Sequence, residues 1–288
     1  MRWYHWMLTV LLVAMVYKIW FAKASLLADR SHEITYREIR EVSGLVASAR
    51  NEGALWVHND GSRTLRLYLL SADGILKRRF RFKAYRTEDF EDIALHAEGD
   101  RSYLYIGDIG DNWGRRKAVR ILRVQEPRLT DSIRDIRVDS VFLRYPDGSR
   151  DAEAMLVDPV SRDLYIISKR EDQPHVYRSK LRFSGKDTLE MKLVSRLNLS
   201  GTGVLRWVTA ADISPDGMQV LVRTYGNVFH WKRKPGESLE EMFSREPVTV
   251  SHTSEIQGEA IGFSRNGKGF YTASEGRTPS LNYNRIRR

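Results

Sequence analysis

The chain has 288 residues, 42% hydrophobic and 29% charged, with 20 Gly and 8 Pro, a composition that excludes a disordered or fibrous protein. It has no cysteine, which excludes disulfides, thiolate zinc sites, iron–sulfur clusters and a cysteine nucleophile. The net charge of +10 suits anionic partners, yet the basic residues lie in short groups (Lys77-Arg78-Arg79, Arg115-Arg116-Lys117, Lys232-Arg233-Lys234) without a helix-turn-helix, finger or RNP pattern, so no nucleic-acid partner is expected.

Residues 1–28 read as a targeting segment. Arg2 precedes an apolar stretch from Met7 to Tyr17, and Ala22-Lys23-Ala24 has the small-x-small form of a cleavage site before Ser25, as in a signal peptide. The competing reading is an uncleaved hydrophobic helix. Trp3 to Ala22 is about the length that crosses roughly 30 Å of hydrocarbon, with Lys18 snorkelling and Trp3, Tyr4, Trp6, Trp20 and Phe21 at the interfaces. Either reading places residues 29–288 outside the cytoplasm, in the periplasm or secreted, or tethered to the inner membrane by residues 3–22.

From residue 29 onward, short alternating runs separated by Gly, Pro, Asp, Asn and Ser clusters predict an all-β domain. Ile34 to Ile39 reads as a spare strand. Five units follow at intervals of roughly 50 to 60 residues. Their opening motifs are Ser43-Gly44-Leu45-Val46, Glu91-Asp92-Ile93-Ala94, Glu153-Ala154-Met155-Leu156, Ala211-Asp212-Ile213-Ser214 and Glu259-Ala260-Ile261-Gly262. Each is followed by a polar turn, such as Ser214-Pro215-Asp216-Gly217, and by a second strand: Leu55 to Val57, Tyr103 to Ile106, Leu164 to Ile167, Val220 to Val222 and Phe270 to Thr272. Third strands are predicted at Leu65 to Leu70, Val119 to Val124, His175 to Lys180, Val228 to Trp231 and Leu281 to Ile286. Outer strands are predicted at Arg79 to Lys83, Val138 to Tyr145, Lys192 to Leu199 and Pro247 to Val250. The fifth unit has no outer strand of its own, and the spare N-terminal strand would complete it. The sequence therefore predicts a β-propeller of five four-stranded blades, closed by an N-terminal strand and preceded by the hydrophobic segment; a six-bladed ring is the alternative, and it would need a degenerate blade hidden in the interval between Glu91 and Glu153. Trp56, Tyr105, Tyr165 and Tyr271 recur at one blade position and are expected to pack between blades.

In such a ring the starts of inner strands and the ends of second strands converge on one axial face. Glu91, Glu153 and Glu259 are the catalytic candidates. Asn59, Asp60, Lys169, Arg170, Arg223, Tyr225 and Glu275 are the ligand-binding candidates, with Lys169, Arg170 and Arg223 able to hold an anion. Asp92, Asp108, Asp111, Asn112 and Asp212 offer hard oxygen donors, which suit Ca²⁺ or another divalent cation. The same acids can instead be structural, satisfying backbone N–H groups or pairing with the cations. Gly107 to Gly114 resembles neither a dinucleotide loop nor an EF-hand, because no helix pattern follows and the closing Glu is missing. No nucleotide, haem or iron–sulfur group is expected, and neither a serine-hydrolase nor a zincin motif is present.

Leu-Trp-Val-His-Asn-Asp (55–60), Asp-Phe-Glu-Asp-Ile-Ala (89–94), Tyr-Leu-Tyr-Ile-Gly-Asp-Ile-Gly-Asp-Asn (103–112), Asp-Ala-Glu-Ala-Met (151–155), Ala-Asp-Ile-Ser-Pro-Asp-Gly (211–217) and Gln-Gly-Glu-Ala-Ile (257–261) together resemble a family of exported bacterial propeller proteins without an assigned activity. More distantly the chain is similar to gluconolactonase/regucalcin-like lactonases and β-propeller phytases. That resemblance implies a divalent cation at the channel mouth and no particular reaction. The expected function is binding of a small anionic or carbohydrate-like ligand at the axial face, with a divalent cation. The alternatives are a metal-dependent hydrolase of lactones, esters or phosphoesters, and a scaffold for a periplasmic or membrane protein.

Overall fold

Among the described residues, 21 strands form five sheets arranged around one axis, antiparallel except for one short parallel edge pair. The computed structural model describes residues 29–287 except 61–63, 87, 133–135 and 184–187. The predicted signal peptide or anchor at 1–28 lies outside the described residues. Among those described, no helix is long and apolar enough to cross a membrane.

Blade 1 runs outward from β2 (Val42–Ala47) through β3 (Ala54–Asn59) and β4 (Thr64–Ser71) to β5 (Leu76–Arg86). Blade 2 contains β6 (Phe90–Glu98), β7 (Arg101–Asp108), β8 (Val119–Gln125) and β9 (Val138–Arg144). Blade 3 contains β10 (Ala152–Val157), β11 (Asp163–Ser168), β12 (His175–Lys180) and β14 (Lys192–Arg196). Blade 4 contains β15 (Val208–Ile213), β16 (Gln219–Thr224), β17 (Val228–Lys232) and β18 (Val248–Val250). Blade 5 joins β19 (Gly258–Phe263), β20 (Gly269–Ser274) and β21 (Ser280–Arg285) to β1 (Arg30–Glu33). The inner strands β2, β6, β10, β15 and β19 contact one another in sequence around the ring. The β-branched and aromatic runs explain why each strand forms where it does.

The ring is closed by an N-terminal strand, but not by the one predicted. Arg30–Glu33 pairs antiparallel with β21, Arg30 opposite Tyr283 and Glu33 opposite Ser280. Residues 34–39 instead form an irregular segment with a turn at Arg37 and Glu38, and Ile34 and Ile39 are fully buried between blades 5 and 1. The apolar spacing of that hexapeptide reflects two anchors of a loop, which alternation alone does not distinguish from a half-buried strand.

Five separate apolar clusters lie between successive blades. Trp56, Tyr105 and Tyr165 are buried in these seams and Tyr271 packs against one, as expected from their repeat position. A buried carboxylate also ties blade 1 to blade 2. Glu126 Oε1 accepts from Trp56 Nε1 at 2.9 Å, Ser48 Oγ at 2.5 Å and the Ala49 N–H at 3.0 Å, and Oε2 accepts from Ser102 Oγ. Two other elements were not legible in the repeat pattern. The short strand β13 (Thr188–Glu190) crosses to pair parallel with β9 of blade 2. Helix α1 (Leu239–Phe243) is opened by a Ser238/Glu241 capping box and buries Leu239, Met242 and Phe243 against blades 3 and 4.

Candidate functional site

Each inner strand carries a register shift at the same place, leaving one residue out of the ladder: Ser43, Glu91, Glu153, Thr209 and Glu259. A bulge of this kind bends the strand and re-aims the extra side chain. The five bulges lie near the strand starts, at what we term the upper face of the ring, and they define the true repeat register. The fourth motif is Thr209-Ala210-Ala211-Asp212, so Asp212 stands three residues below its bulge, level with Val46 and Leu156. Ser43 Oγ donates to the Glu91 backbone oxygen, and Thr209 Oγ1 donates to Gly258 O at 2.9 Å, so the hydroxyl bulges link neighbouring blades.

Two groups of charge occupy the upper face. Asp60, just beyond β3, meets Asp89 and Glu91 of blade 2, and one carboxylate oxygen from each lies within 4.8 Å of the other two. Burial, then the Asp89 charge, pushes the Asp60 carboxyl up to about 8. Burial also raises Asp89, and it raises Glu91 well above the carboxylate range, reinforced by Glu153 and Asp60. Gly110 packs against this group: a Cβ there would lie 2.2 Å from Glu91 Oε1 and 2.5 Å from Asp89 Oδ2, so a side chain would displace both carboxylates.

Across the ring, Lys169 Nζ donates to Glu153 and, at 3.4 Å, to the Tyr225 hydroxyl, which donates to Glu259 Oε1 at 2.7 Å. Burial pulls the Lys169 ammonium down, but the Glu153, Glu259 and Glu91 charges outweigh it and leave the group raised. Burial raises Glu153 to about 8, reduced by Lys169 and reinforced by Glu259. Arg170 bonds Asp151 and Asn112 and lies over the Trp207 ring, 4.5 Å from its centroid. Glu275 stands at the rim, where burial and then Glu259 raise it to about 7. Beside it, over blade 5, opens a cavity of about 510 Å³ lined in part by Glu255, Gln257, Glu275 and Asn282.

Asn59, Asp60, Glu91, Glu153, Lys169, Arg170, Tyr225, Glu259 and Glu275 are therefore gathered at the upper face, although the Asn59 amide turns away to donate to Glu38 O at 2.5 Å. The five residues expected to supply oxygen donors for a cation are not brought together. Asp108 accepts from the Asp89 N–H at 3.0 Å and pairs with Arg116 at 3.0 Å and Arg120 at 2.8 Å. Asp111 accepts from the Arg115 and Arg116 N–H groups at 2.9 and 2.8 Å, which shapes its own loop, while Asn112 is engaged with Arg170. Asp92 is buried on the axis and accepts from the N–H groups of Ile93, Met155 and Ala211, joining three inner strands. Asp212 accepts from the Phe263 N–H at 2.6 Å, and burial raises it to about 7.

Arg223 is likewise turned inward. It is 1% exposed and bonds Glu255, Ala260 O at 2.8 Å and Ala273 O at 3.3 Å, so it joins blade 4 to blade 5 and presents no charge to an anion. The residues the repeat reading missed are Asp89, Asp151 and Trp207. Each stands two positions before a bulge, as Glu41 and Gln257 do, and period-2 alternation carries position minus two toward the face its bulge occupies.

The fold and site define a five-bladed β-propeller with an acid-rich upper axial face. No protein-family model matches the chain, and no curated protein matches it. Among solved structures, a chain of the nidogen/laminin complex is similar at 13% identity and a TM-score of 0.46, covering 82% of this chain and 72% of that one.

Proposed function

We propose that the upper axial face binds a divalent cation through Asp60, Asp89 and Glu91 and, beside it, a small oxygen-rich ligand of carbohydrate-like or metal-bridged anionic character. The observation that carries this reading is the convergence of the three carboxylates within 4.8 Å at partly buried positions. Charged together they repel, and a hard cation relieves that repulsion with the oxygen donors Ca²⁺ and Mg²⁺ prefer. The cations of the site, Lys169 and Arg170, are matched by Glu153 and Asp151, which disfavours direct capture of an anion without a metal. Trp207 and Tyr225 are the aromatic rings beside this site, and Arg170 and Lys169 each lie over a face of one of them. The proposed setting is extracytoplasmic, with residues 3–22 as signal or tether.

The test is thermal unfolding of residues 29–288 in EDTA and then in millimolar Ca²⁺, Mg²⁺ or Mn²⁺. Cation at about 100 times its dissociation constant adds roughly 2.7 kcal/mol, a shift of several degrees. The shift should vanish in Asp60→Asn with Glu91→Gln; no shift with any cation refutes the metal reading. A metal-dependent hydrolase is the second reading, favoured by Glu153, a carboxyl that burial raises to about 8 on the same face. Turnover on lactone, ester and phosphomonoester panels that Glu153→Gln abolishes, with cation binding kept, decides for it. A protein-interaction scaffold predicts neither effect.

A further inference from the structure

The opposite axial face carries a basic groove. The turns between first and second strands and between third and outer strands lie there, and a groove of about 610 Å³ opens between blades 1 and 2. It is lined by Arg50, Arg101, Arg128 and Arg265, with Asp100 the only acid among its described lining residues. Arg101, Arg128 and Arg265 are exposed, whereas Arg50 is partly used in a bond to Glu126 O. Aliphatic side chains stand exposed at turn tips of this same face: Ile75 at 65%, Leu129 at 42% and Val160 at 62%.

The N-terminal chain enters the propeller on this side. Arg30 pairs with Tyr283 next to Arg285, which pairs with Gly269 just past the turn that carries Arg265 and Lys268. The described chain therefore starts, at Asp29 and Arg30, on the face that carries this groove, and a bilayer reached by residues 3–22 would meet that face. Arginines interleaved with protruding aliphatics match an anionic interface, where each cation adds electrostatic attraction and each aliphatic tip adds burial.

We propose that the lower face, centred on the Arg101–Arg128–Arg265 groove, docks onto a membrane surface rich in anionic lipid and turns the acidic face toward the solvent. The inference is independent of the cation site. It rests on the tether reading for its orientation only, and the two are tested separately.

All five sheets and their cores lie within residues 30–285, so the propeller without residues 1–28 carries the fold and avoids their own membrane affinity. Co-sedimentation would use vesicles of phosphatidylcholine, pure or with about 30 mol % phosphatidylglycerol, at roughly 50 mM salt. Binding is expected to the anionic vesicles alone and to disappear near 500 mM salt, about a tenfold increase that collapses the screening length. R101E with R128E and R265E should weaken it on the order of a hundredfold or more. Leu129→Glu with Val160→Glu should weaken it too, whereas R115E with K117E and R277E on the upper face should leave it unchanged.

Equal binding to both vesicle types, or no effect of the lower-face charge reversals in a variant whose circular dichroism is native, overturns the proposal. So does inorganic phosphate that raises the melting temperature and abolishes vesicle binding at constant ionic strength, which would mark a small-anion pocket. Tighter, salt-sensitive binding to a short duplex DNA through the same arginines would assign the face to nucleic acid and also overturn it. Salt-resistant partitioning of the full chain into membranes, read independently, tests residues 3–22.

Discussion

Replacing Arg223 separates an internal clamp from an anion-holding side chain. In Arg223→Met the Glu255 carboxylate, 3% exposed, loses its guanidinium partner, and the carbonyls of Ala260 and Ala273 lose a donor. Removing one partner of a buried ion pair costs about 3–5 kcal/mol. Glu255 retains Ser280 Oγ at 2.8 Å and Asn282 Nδ2 at 2.5 Å as donors, which places the expectation at the lower end, roughly 3 kcal/mol. At about 2–4 °C per kcal/mol for a domain of this size, the melting temperature should fall by roughly 6–12 °C. Gly258→Ala should act in the same direction, because its Cβ would lie 1.5 Å from Arg223 Nη2 and drive the guanidinium out of the seam. Adding Glu255→Leu to Arg223→Met should recover part of the loss, since no unpaired charge then remains. Urea unfolding at neutral pH gives the free energies, and a cation titration of the same variants gives the binding. An Arg223→Met variant that unfolds within about 0.5 kcal/mol of the parent, the scatter of ordinary surface substitutions, or that loses ligand at unchanged stability, refutes the clamp.

Other features of the fold make equally direct predictions. Glu126→Gln turns a carboxylate facing several donors into an amide whose N–H₂ meets one of them, and should cost roughly 2–4 kcal/mol by urea unfolding. Ile34→Ala should cost about 2–5 kcal/mol as a buried large-to-small change, whereas Glu33→Ala, exposed in the closing strand, should stay within about 0.5 kcal/mol. Asp212 binds its proton more tightly folded, near 7, than unfolded, near 4, so its contribution is complete at low pH and is lost as pH rises through about 7. In EDTA the parent should lose stability from about pH 4 to pH 8, and Asp212→Asn should reduce that loss by up to about 4 kcal/mol; an unchanged loss refutes the assignment. Cation affinity should climb as pH rises toward about 8 and level off above it, because the metal displaces the Asp60 proton, and Asp60→Asn should weaken that dependence in a calorimetric titration.

Local chemistry determined the number of blades and most strand positions. Val, Ile, Leu and aromatic runs between Gly, Asn and Asp turns pair with their neighbours over short distances, so the hairpins of β2 to β5, β6 to β9 and β15 to β17 follow from the sequence itself. It also placed Glu91, Glu153 and Glu259 on one axial face, since a repeat puts equivalent residues at equivalent places. Three matters were decided only by the ring. Asp212 drifted out of register because a bulge at Thr209, invisible as a residue type, fixes which position meets the axis. Arg223 became a clamp because the next blade brings Glu255 and two carbonyls to it, contacts between residues some 30 to 50 positions apart. Asp60 and Asp89 became neighbours because blades 1 and 2 pack side by side. A repeating sequence states what each blade carries, but which carried groups touch depends on packing between blades, and that information resides in no single repeat.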